Sequence, residues 1–246
     1  MPAPLFPGAV AVSDLQVYDW ESADGRCGGS PHLHTASSEG YVVVGGSGAV
    51  HTLSSEGADV HPLAAGDVIW FSPGTVHRLV NDGDLRLIVV MSNAGLPEAG
   101  DAVLTFPRAV RDDPEAYAAA AALPDGEGRA DAARARRDLA LEGYAELCDA
   151  AALSGAAALS ELHAQAVRLV HHRVARWQEH WEATVAAETA RTRRQLAALA
   201  AGEVGAMATA AVVRGEPTPG ERGFGMCGRL RTWDRGVAPS TGNIGG

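Results

Sequence analysis

His32 and His34 are followed by Glu39 after a short polar stretch, and a third imidazole, His77, closes the run Pro73-Gly74-Thr75-Val76-His77. On an extended strand, residues two apart point to the same face, so His32 and His34 can reach one ion together. Glu39 comes after a turn and can close a third vertex from the next strand. His77 follows Gly74 by three, where a turn hands over to another strand. Three imidazole nitrogens and one carboxylate oxygen suit a borderline divalent metal: Fe, Mn, Ni, Co or Zn. A catalytic centre of that kind keeps positions open for water or substrate.

Three further residues are candidates for work beside such an ion. Tyr41 shares the face of Glu39 by alternation, as does Val43, and its hydroxyl can hydrogen-bond a substrate. His51 is expected to face the same cavity from a strand over Ala49–Leu53. Arg26 is placed to meet an anionic substrate at a barrel mouth.

Strands must position these groups. Residues 9–95 contain short runs rich in Val, Leu, Ile and Trp: Ala9–Trp20, Gly40–Gly46, Ala49–Leu53, Val60–Leu63, Asp67–Phe71, His77–Val80 and Leu85–Met91. Gly45-Gly46-Ser47-Gly48, Gly57, Gly66, Pro73-Gly74 and Asn81-Asp82-Gly83-Asp84 read as the turns between them. Short strands at regular spacing predict a sandwich or barrel. Trp70 and Phe71 alternate, so one fills the core and the other faces away.

The pattern changes after a connector at 93–102. Asp113-Pro114-Glu115 is a helix start, with Asp at the N-cap and Pro at the first helical position. That helix stops at Leu123-Pro124-Asp125-Gly126, and a second covers about 128–153. From Ala156 to Ala201 there is neither Gly nor Pro. Leu159, Leu162, Ala166, Val170, Val174, Trp177, Trp181 and Val185 form a stripe at spacings of three and four. Unbroken, this helix would run roughly 65–70 Å. Either it bends and packs on its neighbour, or the stripe meets a second copy; a contribution from a homodimer is the expectation. His163, His171, His172 and His180 lie on it without a metal-binding helical spacing. Residues 202–246 are rich in Gly with Pro217, Pro219 and Pro239; Ala210–Val213 and Arg229–Trp233 are expected as short strands and the last ten residues as flexible. Gly223-Phe224-Gly225-Met226-Cys227-Gly228 has the glycine spacing of a dinucleotide fingerprint, but no room follows for the required βαβ unit. The organisation is thus a barrel over 1–107, a helical extension over 108–201 and a tail over 202–246: mainly β followed by α, α+β overall.

Composition narrows the functions. Net charge is −10. Residues 1–107 carry twelve acids against three arginines (Arg26, Arg78, Arg86), which argues against nucleic acid as a partner. The chain has no lysine, so Schiff-base chemistry and a lysine-dependent phosphate loop are excluded. No stretch reaches the roughly 18 apolar residues of a membrane span. The start, MPAPLFPGAV, has no basic residue ahead of its apolar run, which argues against a signal peptide. Cys27, Cys148 and Cys227 are odd in number and far apart, which fits a reducing cytoplasm.

His32, His34, Glu39 and Gly46 match the first motif of the cupin family: His-x-His, three or four residues, Glu, six residues, Gly. Gly66, Gly74, His77 and Asn81 match its second: Gly, five residues, Pro-x-Gly, two residues, His, three residues, Asn. Ser72 stands where that motif has Pro, with Pro73 displaced by one, and Arg26 stands where a leading Gly precedes the first motif. Both departures concern turns and spare the ligands. About 85 residues therefore resemble a single-domain cupin with a helical addition. The resemblance implies a small antiparallel barrel with the metal inside. Oxygenase chemistry on a small molecule is its leading implication. A metal-dependent sugar isomerase or epimerase uses the same ligands, and a non-catalytic ligand-binding module is the remaining alternative.

Overall fold

The computed structural model describes residues 6–234. The barrel strands are β1 (Ala11–Val17), β2 (Cys27–Gly28), β3 (His32–His34), β4 (Glu39–Ser54), β5 (Gly57–Ala64), β6 (Val68–Phe71), β7 (Val76–Met91) and β8 (Ala102–Leu104). All their pairings are antiparallel. β4 lies along β7 for nearly its whole length and pairs β6 with its first part and β5 with its second. β7 also pairs β1, β2 and β3, and β3 pairs β8.

The expected turns at Gly45–Gly48 and Asn81–Asp84 are not turns. They are facing irregularities inside two sixteen-residue strands, where the β4–β7 register shifts between Val43 and Gly48. Such bulges bend a strand without ending it, letting one strand serve both walls of a barrel. Glycine is required here: Gly46 has φ 71°, and a Cβ on it would lie 2.2 Å from the Asp84 carbonyl oxygen. Asn81 fastens the other side, accepting from Gly83 N and Leu85 N and donating to the Val17 carbonyl.

Alternation sorts the faces as expected. Leu15, Val17, Tyr41, Val43, Val50, Leu79, Leu85, Leu87 and Val89 fill the interior, with Phe71 packed against them. Trp70 points outward, 74% exposed.

The helices are α1 (Arg108–Arg111), α2 (Pro114–Ala121), α3 (Arg129–Ser154), α4 (Ala156–Val170), α5 (Val174–Trp181) and α6 (Ala187–Ala200). Asp113 caps α2 as its sequence requires, accepting from Glu115 N and Ala116 N. The stretch 156–201 is not one straight helix. A 3₁₀ turn at His171–Arg173 and a π turn at Glu182–Ala186 interrupt it. Thr184 Oγ1 donates back to the His180 carbonyl beside the π turn, a bond that bends helices. Most of the apolar stripe is covered within the chain: Leu159, Leu162, Ala166, Val170 and Trp177 pack with Leu147 of α3 and with Leu33, Leu53, Val76, Leu96 and Val103 of the barrel. Val174 and Trp181 remain exposed.

The chain then returns to the barrel through β9 (Glu216–Pro217), β10 (Gly223–Phe224) and β11 (Gly228–Asp234). β11 pairs β1 in register from Ser13–Thr232 to Val17–Gly228. The residues expected as a strand at Ala210–Val213 are irregular and exposed. The dinucleotide-like glycine run forms the β10–β11 hairpin, closed by Gly225 N to Gly228 O at 2.8 Å. The final ten residues, expected as flexible, lie outside the described residues. Among the described residues, no helix is long and apolar enough to cross a membrane.

Candidate metal centre

β3 presents His32 and His34, β4 opens with Glu39, and β7 presents His77. His32 is the register partner of His77, so the two rings sit side by side with centroids 4.2 Å apart. Gly74, at φ 86°, makes the turn that delivers β7, and its amide donates to the His34 carbonyl at 2.8 Å. One ligand atom from each of His32, His34, Glu39 and His77 lies within 4.8 Å of all the others, and all four residues are buried.

The ring orientations favour one reading of the tautomers. His32 Nδ1 lies 2.9 Å from the Ser30 carbonyl and His77 Nδ1 lies 3.1 Å from the Thr75 carbonyl. A carbonyl only accepts, so both Nδ1 atoms carry the proton and leave the Nε2 lone pair facing inward. Glu39 Oε2 stands 3.2 Å from His34 Nε2 and 2.9 Å from His77 Nε2. Yet Glu39 Oε2 and His77 Nε2, both buried, lack hydrogen-bond geometry. Buried polar atoms are nearly always paired. Atoms that approach closely while aiming at a common point are what a shared ion requires, and the donor set fits a borderline divalent metal.

The electrostatics show the same tension. Burial pushes the His32 pKa well down, helped by His77 and His34. Burial also opposes charge on His34, but Asp101 and Glu39 outweigh it and push its pKa up to about 9. For Glu39, burial is outweighed by His77 and His34, which hold the carboxyl well below its usual range.

Tyr41 lies where alternation put it. It is wholly buried, edge-on to Phe71 at 5.3 Å between centroids, with its hydroxyl unpartnered. Burial and then Glu39 push its pKa well up, so the phenol stays protonated.

His51 does not join the cavity. Its register partner is Arg78, whereas the neighbouring Thr52 is the partner of His77. Paired residues share a face, so His51 looks out and Thr52 looks in. The bulge after Val43 shifts the alternation, and a count carried straight through it lands on the wrong face. Arg26 is also absent from the cup. It is exposed in a turn over residues 22–26, beside the Asp24 carboxylate that binds Arg78 on the outer face.

Two features near the cup were missed from the sequence. Thr52 Oγ1 is 3.1 Å from His61 Nε2, and His61, the register partner of interior Val50, stands on the cavity side. The histidine in β5 carries no motif, so only the register reveals it. The second is Asp101, which is wholly buried. Its carboxylate accepts from Thr35 N (2.9 Å), Thr35 Oγ1 (2.6 Å), Ala36 N (2.7 Å) and Ser37 N (3.0 Å), and Oδ2 lies 3.6 Å from His34 Nδ1. Burial opposes its charge, but His34 and these donors hold its pKa well below the carboxylate range. A lone Asp sixty-odd residues downstream gives no spacing signal.

Residues 19–91 match the model of the family described as Cupin domain. No curated protein matches the chain. Among solved structures, Pac13 from Streptomyces, described as a unique nucleoside dehydratase, is similar at 21% identity, covering 40% of this chain and 69% of that one, with TM-score 0.30. KdgF from Halomonas sp. is 19% identical, covering 37% and 73%, with TM-score 0.28. A conserved protein with a double-stranded β-helix domain from Klebsiella pneumoniae is 22% identical, covering 34% and 64%, with TM-score 0.26. The family match spans the strands that carry the four converging residues, and this chain's likeness to the Cupin domain family covers residues 19–91.

Proposed function

We propose that this protein is a metal-dependent enzyme acting on a small molecule inside the barrel, and that its reaction is an oxygenase-type oxidation. The observation that carries the metal is the convergence of His32, His34, Glu39 and His77, with Glu39 Oε2 and His77 Nε2 buried and without hydrogen bonds. Fe, Mn, Ni, Co or Zn would be held by these four groups; a bound ion of this kind supplies Lewis acidity and, for Fe or Mn, redox chemistry. The chain's own residues do the rest. Tyr41 keeps its proton and offers an O–H to an oxygen of the bound molecule. Phe71, Val43, Val50 and Leu79 form an apolar wall that excludes water around it. Glu39, the acid–base group beside Tyr41, is itself one of the four converging groups, which favours a redox step.

One observation favours a second reading, a metal-dependent isomerase or epimerase. Thr52, the register partner of His77, lies 3.1 Å from the His61 imidazole, a kind of group that relays protons. A purely binding module has no need of four convergent ligands.

Metal analysis of the purified chain, followed by oxygen uptake over a panel of small molecules, tests the proposal. The expected result is one divalent ion per chain and substrate-dependent uptake, both lost in His77→Ala. Full metal content and turnover in that variant would sink it. Metal without oxygen uptake would shift the reading to isomerase.

A further inference from the structure

Three positive-φ glycines in loops beside the cup each lie beneath a side chain of the helical layer. A Cβ on Gly74 would meet His163 Nε2 at 3.0 Å, one on Gly95 would meet His180 Nε2 at 1.8 Å, and one on Gly100 would meet Arg173 Nη1 at 1.9 Å. The same helices hold the loop carbonyls. His163 Nε2 donates to Gly74 O (2.8 Å), His180 Nε2 to Ala94 O (2.9 Å), Trp177 Nε1 to Ala99 O (3.2 Å) and Arg173 Nη1 to Gly100 O (3.1 Å). Arg173, Trp177 and His180 are spaced four and three apart, so they project from one helix face onto one loop. The next residue in that loop is Asp101.

Asp101 lies outside the matched segment 19–91, yet it touches the ligand set from behind. His32 and His77 are oriented by carbonyls two residues before them in their own chain segments. His34 alone has a carboxylate behind its Nδ1. At 3.6 Å the carboxylate stands just beyond hydrogen-bond range of a His34 Nδ1 that has no other partner, so it acts on the ring through its charge and is placed to take the Nδ1 hydrogen bond when the ring ligates. The remaining Asp101 contacts hold Thr35, Ala36 and Ser37, the turn that sets the separation of His34 from Glu39.

We propose that Asp101 is a positioning residue for the metal ligand His34, and that the helical layer holds it in place through Arg173, Trp177 and His180. Metal affinity of the barrel is then set in part by helices outside it. This rests on the metal reading above.

Binding of Co(II) and Zn(II) to the full chain, by competition with a chromophoric chelator, tests it. Asp101→Asn should weaken both ions roughly 10- to 100-fold. It should also change the visible Co(II) spectrum while leaving the far-UV circular dichroism of the chain intact. Arg173→Ala and Trp177→Phe should each weaken binding roughly 3- to 10-fold, the effect of one lost hydrogen bond. Arg173→Ala added to Asp101→Asn should weaken it little further, because both act on one element. Wild-type affinity in Asp101→Asn overturns the role of Asp101. Full additivity in the double variant overturns the coupling to the helices. Should Asp101→Asn fail to fold, wild-type affinity in both Arg173→Ala and Trp177→Phe overturns the proposal. A wild-type chain that binds neither ion, with His77→Ala indistinguishable from it, would overturn the metal assignment itself.

Discussion

Two regions of the molecule bury polar groups, and they partner them to different degrees. At the junction of α3 with the barrel, Arg137 is fully buried, yet its terminal nitrogens donate to the carbonyls of Trp20, Glu21 and Gly28. Its neighbour Arg136 donates to Ala121 O and Gly225 O, and Arg111 donates to Phe106 O. In the cup, Glu39 Oε2, His77 Nε2 and the Tyr41 hydroxyl are buried with no hydrogen bond. The arginine junction spends its polar groups on the fold. The cup holds its polar groups in reserve, which lowers stability unless something binds. Arg136 Nε and Arg137 Nε also lack hydrogen bonds, so what marks the site is that its unpartnered Glu39 and His77 atoms converge with His32 and His34 within 4.8 Å.

The contrast can be broken experimentally, and the largest effect belongs to the junction. Arg137→Ala strands three carbonyls and should cost about 3 to 5 kcal/mol in urea unfolding. Metal affinity of the surviving folded protein should be unchanged; a large loss of affinity would show that the two regions are not separate. Next comes metal itself. At a hundredfold excess over Kd, an ion bound to the folded state alone should raise stability by about 2.7 kcal/mol, seen as a higher Tm that chelator reverses. No shift in wild type would mean the cup is not held open for an ion.

A smaller effect sits at a satisfied ion pair far from the cup. Asp14 accepts from Arg86 Nε (3.0 Å) and Nη2 (2.7 Å) and from Arg222 Nη2 (2.6 Å). The Arg86 hydrogen bonds outweigh burial and, with Arg222, bring its pKa down to about 2. A lowered carboxylate pKa contributes stability above the ordinary carboxylate value and loses it as pH falls through about 2. Asp14→Asn should cost about 1 kcal/mol at neutral pH, after screening of the partly exposed Arg86. The gap between variant and wild type should close near pH 2; a gap constant from pH 7 to pH 2 would exclude the charge as its source. The smallest effect is expected at Tyr41→Phe. Removing an unpartnered hydroxyl should change Tm by less than the equivalent of about 0.5 kcal/mol. A loss above about 1 kcal/mol would mean the hydroxyl is satisfied in solution.

The cup was largely legible because its elements are local. His32 and His34 need only a strand period to become co-facial, and Gly74 needs only its positive φ to turn β7 back. The misplaced residues lie beyond a bulge or come from another segment. His51 failed because the register shift between Val43 and Gly48 is not written in an alternation count. Asp101 and His61 were missed because each gains its meaning from a contact with a strand distant in sequence.

From the sequence alone came the four residues that converge in the cup, the barrel, the capped start of α2, the exclusion of lysine chemistry and the helical character of 156–201. These follow from strand and helix periods, turn residues and composition, which act over a few positions. Only the tertiary structure decided that β4 and β7 run unbroken through their bulges, that β11 completes the sheet beside β1, and that the Trp177 helix bends onto the loop of Asp101. Those outcomes depend on pairing and burial between segments up to two hundred residues apart, and no local pattern encodes which partner a segment meets.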